Sequence, residues 1–208
     1  MRRLAVLFCA VLGCTKNDDR DAQFWAWFQA HGAEVATIKT GTESIAEELT
    51  RELRKIDARL VYQIRVGPPR ELAISADGLA TLFPTVRRLV AAAPALPGWT
   101  IVAFRQRTRM PEINRSGKLI HVTDLSFSLL APPKPGYKLD VAIFVGGGIA
   151  VDAVVRGSVF VILDSWLGEV DTETVLGKVQ ISDETEKPRD ARPFPELVGL
   201  VDGQKARP

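Results

Sequence analysis

The chain has 208 residues, 46% of them hydrophobic and 25% charged, enough for one good core and in ordinary balance for a globular protein. Its formal charge of +2, from 27 basic and 25 acidic residues, argues against nucleic acid as a default partner. Two histidines and two cysteines cannot assemble a zinc centre of the usual kind, and no cofactor or metal is expected.

Both cysteines, Cys9 and Cys14, fall at the start. Met1-Arg2-Arg3 is positive, Leu4 to Leu12 is a short apolar run, Gly13-Cys14 follows, and Thr15 to Asp21 is abruptly polar. That order matches a secretory signal, and the run is too short to span a membrane. Val11-Leu12-Gly13-Cys14 has the form of a lipobox, with Leu12 bulkier than its position usually carries. The expectation is a lipoprotein-type signal peptide over 1–13, lipid on Cys14, a polar tether over 14–20 and a single domain over 21–208. The competing reading makes Leu4 to Leu12 a buried first strand of a cytoplasmic protein.

From Asp21 the pattern predicts a helix to His31, with Phe24, Trp25, Trp27 and Phe28 docking it on a core. Thr40 to Glu43 fits a capping box for a second helix striped by Ile45, Leu49, Leu53 and Ile56. Leu60 to Val66 alternates as a strand, and Gly67-Pro68-Pro69-Arg70 turns it into the Glu71–Ala76 strand. A helical pattern from Leu79 to Ala93 follows, with Pro84 as its kink or restart. Trp99 to Phe104, apolar on both faces, is expected to be a central strand.

Met110 to Gly117 reads as an exposed loop, and Leu119 to Leu129 as one alternating strand with His121 facing inward. The Tyr137–Val145 strand ends at Gly146-Gly147-Gly148. Val151 to Leu167 is valine-rich, which favours a strand by propensity. Its length, its stripe of Val155, Val159, Ile162, Leu163 and Trp166, and the stop at Gly168 favour a buried helix. A strand at Thr174–Ile181, a charged connection and a short helix over Phe194–Val201 complete the chain. The expected fold is α+β: one five- or six-stranded, largely antiparallel sheet with helices packed mainly on one face.

Several landmarks together carry a resemblance. They are Phe24-Trp25-Ala26-Trp27-Phe28, Ile74-Ser75-Ala76-Asp77-Gly78, and Ala93-Pro94-Ala95-Leu96-Pro97-Gly98-Trp99 leading into Ala103-Phe104-Arg105-Gln106-Arg107. The last is Leu163-Asp164-Ser165-Trp166-Leu167-Gly168-Glu169. Over most of residues 21–181 the chain resembles a family of bacterial proteins built on a domain of unknown function. The resemblance implies an α+β fold and carries no activity or site residue with it.

Chemistry is sparse. Gly146-Gly147-Gly148 lacks the third glycine of a dinucleotide loop, position 151 being Val, and lacks the Lys-Ser or Lys-Thr of a phosphate loop. Neither H-E-x-x-H nor G-x-S-x-G occurs. Asp164 and Glu169 are candidate paired acids, but they flank a helix end, and Asp164 is expected to face solvent or a helix terminus. Arg105, Arg107 and Arg109 alternate after the Trp99 strand, so regular strand geometry would point all three the same way. With Asp77 and His121 nearby, the expectation is a surface salt-bridge network, and the alternative is an anion site built on bidentate guanidinium contacts. The leading functional expectation is a non-enzymatic binding or interaction module, exported and anchored to the membrane through Cys14, with a protein as a possible partner. The alternatives are an enzyme or binder using Arg105, Arg107, Asp77 and His121 on a small anionic ligand, and a cytoplasmic regulatory domain.

Overall fold

The structure is a computed structural model that describes residues 16–39 and 41–205, with side chains from residue 19. Cys14 and the Leu4–Leu12 run lie outside the described residues. The architecture is α+β. The chain divides into two units: the described residues up to 58 with 92–96, and residues 59–91 with 97–205.

The first unit is helical. Helix α1 runs Lys16–Val35, starting five residues before Asp21 and reaching past Gly32. Asp19 and Asp21 in its opening turns carry the charge that a helix amino terminus favours. Phe24, Trp25 and Phe28 are buried and meet edge-on or tilted, while Trp27 stacks on His31 at 4.9 Å. Helix α2 runs Ser44–Arg54 and buries Ile45, Ala46, Leu49 and Leu53. It starts later than a capping box at Thr40 would place it. Glu43 is its cap residue by backbone geometry, and its carboxylate accepts the N–H of Lys39 instead.

The second unit carries the sheets. Strands β1 (Val61–Arg65) and β2 (Arg70–Ser75) form the expected antiparallel hairpin. A 3-10 turn and helix α3 (Phe83–Ala91) then cross over to β3 (Trp99–Ala103), which pairs with β2 in parallel. Pro84 sits in the first turn of α3, where its missing N–H costs nothing. The strand order β1-β2-β3 puts β2, not β3, at the centre. β3 is only half-buried, with Thr100 exposed, so apolar residues on both faces overstate its cover, and they carry no information about which edge is paired.

The segment read as a loop is a second hairpin. β4 (Glu112–Arg115) pairs with β5 (Lys118–His121) through Ser116 and Gly117, both at positive φ as a type I′ turn requires. A 3-10 turn at Val122–Asp124 splits the expected Leu119–Leu129 strand, and β6 is Leu125–Leu129. β7 (Leu139–Val145), β8 (Leu176–Asp183) and β9 (Arg192–Pro193) complete a four-stranded sheet ordered β8-β7-β6-β9. The described residues thus hold three sheets of three, two and four strands instead of one sheet of five or six. Most pairings are antiparallel, as expected.

Helix α4 (Ala153–Leu167) is a helix despite its valines, capped by the Asp152 carboxylate accepting the Val155 N–H. Its buried stripe packs on Val141, Ile143 and Val145 together with α6 (Glu196–Lys205), forming the main core. Gly168, at φ +83°, ends α4 and admits a further helix, α5 (Glu169–Val175), which periodicity did not reveal.

Candidate functional site

β2 and β3 run parallel, so both end at the same rim. β2 ends at the Asp77-Gly78 turn, with both residues at positive φ. β3 ends at Phe104, whose φ of +69° breaks the extended geometry. Arg105 and Arg107 therefore do not share one direction. The expected alternation assumes a strand that the chain has already left.

Arg105 reaches into a cage of acids. Its Nη2 donates to Asp77 Oδ1 at 2.9 Å and its Nη1 to Asp164 Oδ2 at 3.0 Å. Beneath it lies Glu169, fully buried. The Glu169 carboxylate accepts the Ala76 N–H at 2.8 Å and the Arg105 N–H at 3.0 Å, and its own N–H donates to the Arg105 carbonyl at 3.1 Å. Two charge-assisted backbone hydrogen bonds satisfy a carboxylate that would otherwise be costly to bury. Glu169 thus bolts the ends of β2 and β3 to the start of α5.

Asp164 is buried, contrary to the expectation that it faces solvent or a helix terminus. Its place on α4 points it at Arg105, and Gly168 turns Glu169 back toward the same spot. Burial pushes the Asp164 carboxyl up to about 6, against the attraction of Arg105 and with the Glu169 charge adding to the rise. Burial by itself pulls the Arg105 pKa down, but Asp77, Asp164 and Glu169 outweigh it and raise it.

Arg107 turns to a second cage. Its Nε donates to the Leu167 carbonyl at 2.6 Å, capping the end of α4, and its Nη2 donates to Asp171 and Asp202, each at 2.8 Å. Its hydrogen bond holds the Asp202 carboxyl below the usual range. His121 stands apart on β5, half exposed, with Nδ1 2.9 Å from Glu112 across the hairpin. The structure therefore unites Arg105 with Asp77, sends Arg107 elsewhere and leaves His121 out. Asp164 and Glu169, which the sequence reading set aside, are the residues that complete the cage. Their signal was two acids straddling a glycine stop at the end of an apolar helix.

The Arg105 cage forms one wall of a cleft of about 880 Å³. Val61, Phe160, Val161 and Val179 give the cleft an apolar wall, and Arg115, Lys138 and Glu173 also face it. Phe160 is 45% exposed although it lies on the core helix. An anion entering here would have to displace one of the two carboxylates already on Arg105. No group of three or more histidine, cysteine or acidic side chains among the described residues is placed to hold a metal.

No protein-family model matches the chain, and no curated protein or solved structure is significantly similar to it.

Proposed function

We propose that this protein is a small-ligand binding module, exported and held at a membrane by a lipid on Cys14. The cleft carries the binding half of that reading. Its volume lies within the range of small-molecule sites, it has one apolar wall, and its ionic wall is held rigid by the Glu169 bolt. Ion pairs already satisfied within the protein preorganise such a wall, so little ordering is left to oppose binding. The anchoring half rests on sequence: charge, apolar run, cysteine and polar stretch in that order. No described helix is long and apolar enough to cross a membrane.

Gly157 lines the cleft on α4, and a Cβ there would meet Arg115 Nη1 at an ordinary 3.5 Å. Gly157→Leu therefore fills cleft space while favouring the helix. In a thermal-shift panel of amino acids, peptides, sugars, nucleotides and polyamines, at least one class should raise the midpoint of the wild type and not of Gly157→Leu. A flat panel, or equal shifts in both proteins, removes the binding module. For the anchor, Cys14→Ser should move the protein from the membrane to the soluble fraction of a bacterial host. Wild-type protein that stays soluble with Met1 intact removes it.

One observation favours a second reading. A cleft acid titrating near pH 6 suits general acid or base catalysis. An enzyme of that kind would lose its activity in Asp164→Asn while still binding its ligand.

A further inference from the structure

The acidic and basic side chains that line the cleft fall into two sets. Arg105, Asp77, Asp164 and Glu169 are committed to one another and to backbone N–H groups. Arg115, Lys138 and Glu173 are not. The Arg115 guanidinium lies against α4 at Gly157 and forms no ion pair with any described residue. Lys138 Nζ donates to the Glu173 main-chain carbonyl at 2.7 Å and has no acidic side-chain partner among the described residues. The Glu173 carboxylate stands beside Gly78 on the cleft wall and has no cationic partner among the described residues.

The cleft thus presents free charge of both signs, with Phe160 and its apolar neighbours alongside. A simple anion would suit Arg115 and meet Glu173 unfavourably. A polyamine would reverse the problem. A ligand with an ammonium group, a carboxylate and an apolar body between them satisfies both residues, while Lys138 stays on the Glu173 main-chain carbonyl. A cleft of about 880 Å³ is roomier than one free amino acid needs.

We propose that the cleft takes a zwitterionic ligand, a short peptide with both ends free, whose carboxylate meets Arg115 and whose ammonium group meets Glu173. This rests on the binding-module reading above and names its ligand class. Arg115 supplies a planar two-donor fork for a carboxylate, and Phe160 a surface for an apolar side chain.

The test is calorimetric titration of the full chain carrying Cys14→Ser with alanyl-phenylalanyl-alanine. Parallel arms use its N-acetylated and C-amidated forms, free phenylalanine, inorganic phosphate, spermidine and a disaccharide. The free peptide should bind more tightly than phenylalanine, and blocking either end should weaken it by roughly tenfold, the scale of one charged hydrogen bond. Arg115→Gln should abolish the effect of amidation and keep that of acetylation, and Glu173→Gln should do the reverse. Both side chains reach the surface, so the fold should tolerate both changes. Blocked peptides that bind as well as the free one, or end effects that persist in both variants, overturn the proposal. Tighter binding of phenylalanine than of the peptide reassigns the site to a free amino acid and overturns the peptide. If phosphate, spermidine or the disaccharide binds instead, and Gly157→Leu prevents it, the zwitterion fails while the binding module stands. If nothing in any arm or in the wider panel binds, both readings fall together.

Discussion

Arg105 and Arg107 are two residues apart and each holds two aspartates, yet the two cages differ in kind. The Arg105 cage is closed on its inner side, where Asp164 is buried, Glu169 lies beneath it and the arginine side chain is 16% exposed, while Asp77 is 58% exposed at the cleft. The Arg107 cage is open, with Asp202 half exposed and Lys205 sharing Asp171. In the closed cage burial outweighs attraction, and an acid rises to about 6 beside a guanidinium. In the open cage the hydrogen bond from Arg107 prevails, and Asp202 falls below its usual range. The same pairing of residue types therefore leaves a carboxyl titratable near neutral pH in one place and firmly charged in the other. Solvent access decides which.

The sharpest break of this comparison is at Glu169. Glu169→Ala leaves two buried N–H groups without an acceptor and removes a fixed charge from beneath Arg105. It should destabilise by roughly 3–5 kcal/mol, the usual cost of breaking a buried charged network. Chemical denaturation would measure it, and a loss under about 1 kcal/mol, the scale of an exposed ion pair, would show that Glu169 is no bolt.

A smaller effect concerns Asp164. Its folded pKa, about 6, lies above its ordinary value of 3.8, so between those values the folded state holds the extra proton. Stability from this group is therefore present at low pH and lost as pH rises from about 4 to about 6. Relative to Asp164→Asn, which has no such proton, the wild type should lose about 1–3 kcal/mol across that window. Carboxylates that do not interact with Asp164 contribute equally to both proteins and cancel in the difference. A flat difference curve would place Asp164 among ordinary solvated acids.

The smallest effect belongs to the open cage. Arg107→Ala should cost less than about 1 kcal/mol, with the ion-pair part of the loss shrinking in high salt. What persists in salt measures the bond to the Leu167 carbonyl at the end of α4. A salt-independent loss as large as that of Glu169→Ala would erase the distinction between the cages.

Much of the element pattern was legible along the chain. The α4 stripe outweighed its valines, because a buried helix is read from period and length more than from propensity. The β1–β2 hairpin and the strand–helix–strand order of β2, α3 and β3 followed from alternation and turn residues, while the parallel pairing of β2 with β3 did not. Sheet membership was not legible. Apolar faces predict burial, but strand order is settled by distant backbone pairing, so β3 became an edge and Glu112–His121 became a hairpin.

The site divides in the same way. Its raw material was visible in the sequence: arginines after a strand, Asp77 in a turn, and two acids around Gly168. Which of them meet was decided by two backbone turns, Phe104 at φ +69° and Gly168 at φ +83°. The first separates Arg105 from Arg107, and the second swings Glu169 under the ends of β2 and β3. Such turns depend on what packs against them, here a carboxylate 64 residues further along the chain accepting the Arg105 N–H. Local sequence determines which side chains carry charge. Only the tertiary structure decides which charges are buried together, because burial and pairing are properties of a place in the fold and not of a position in the chain.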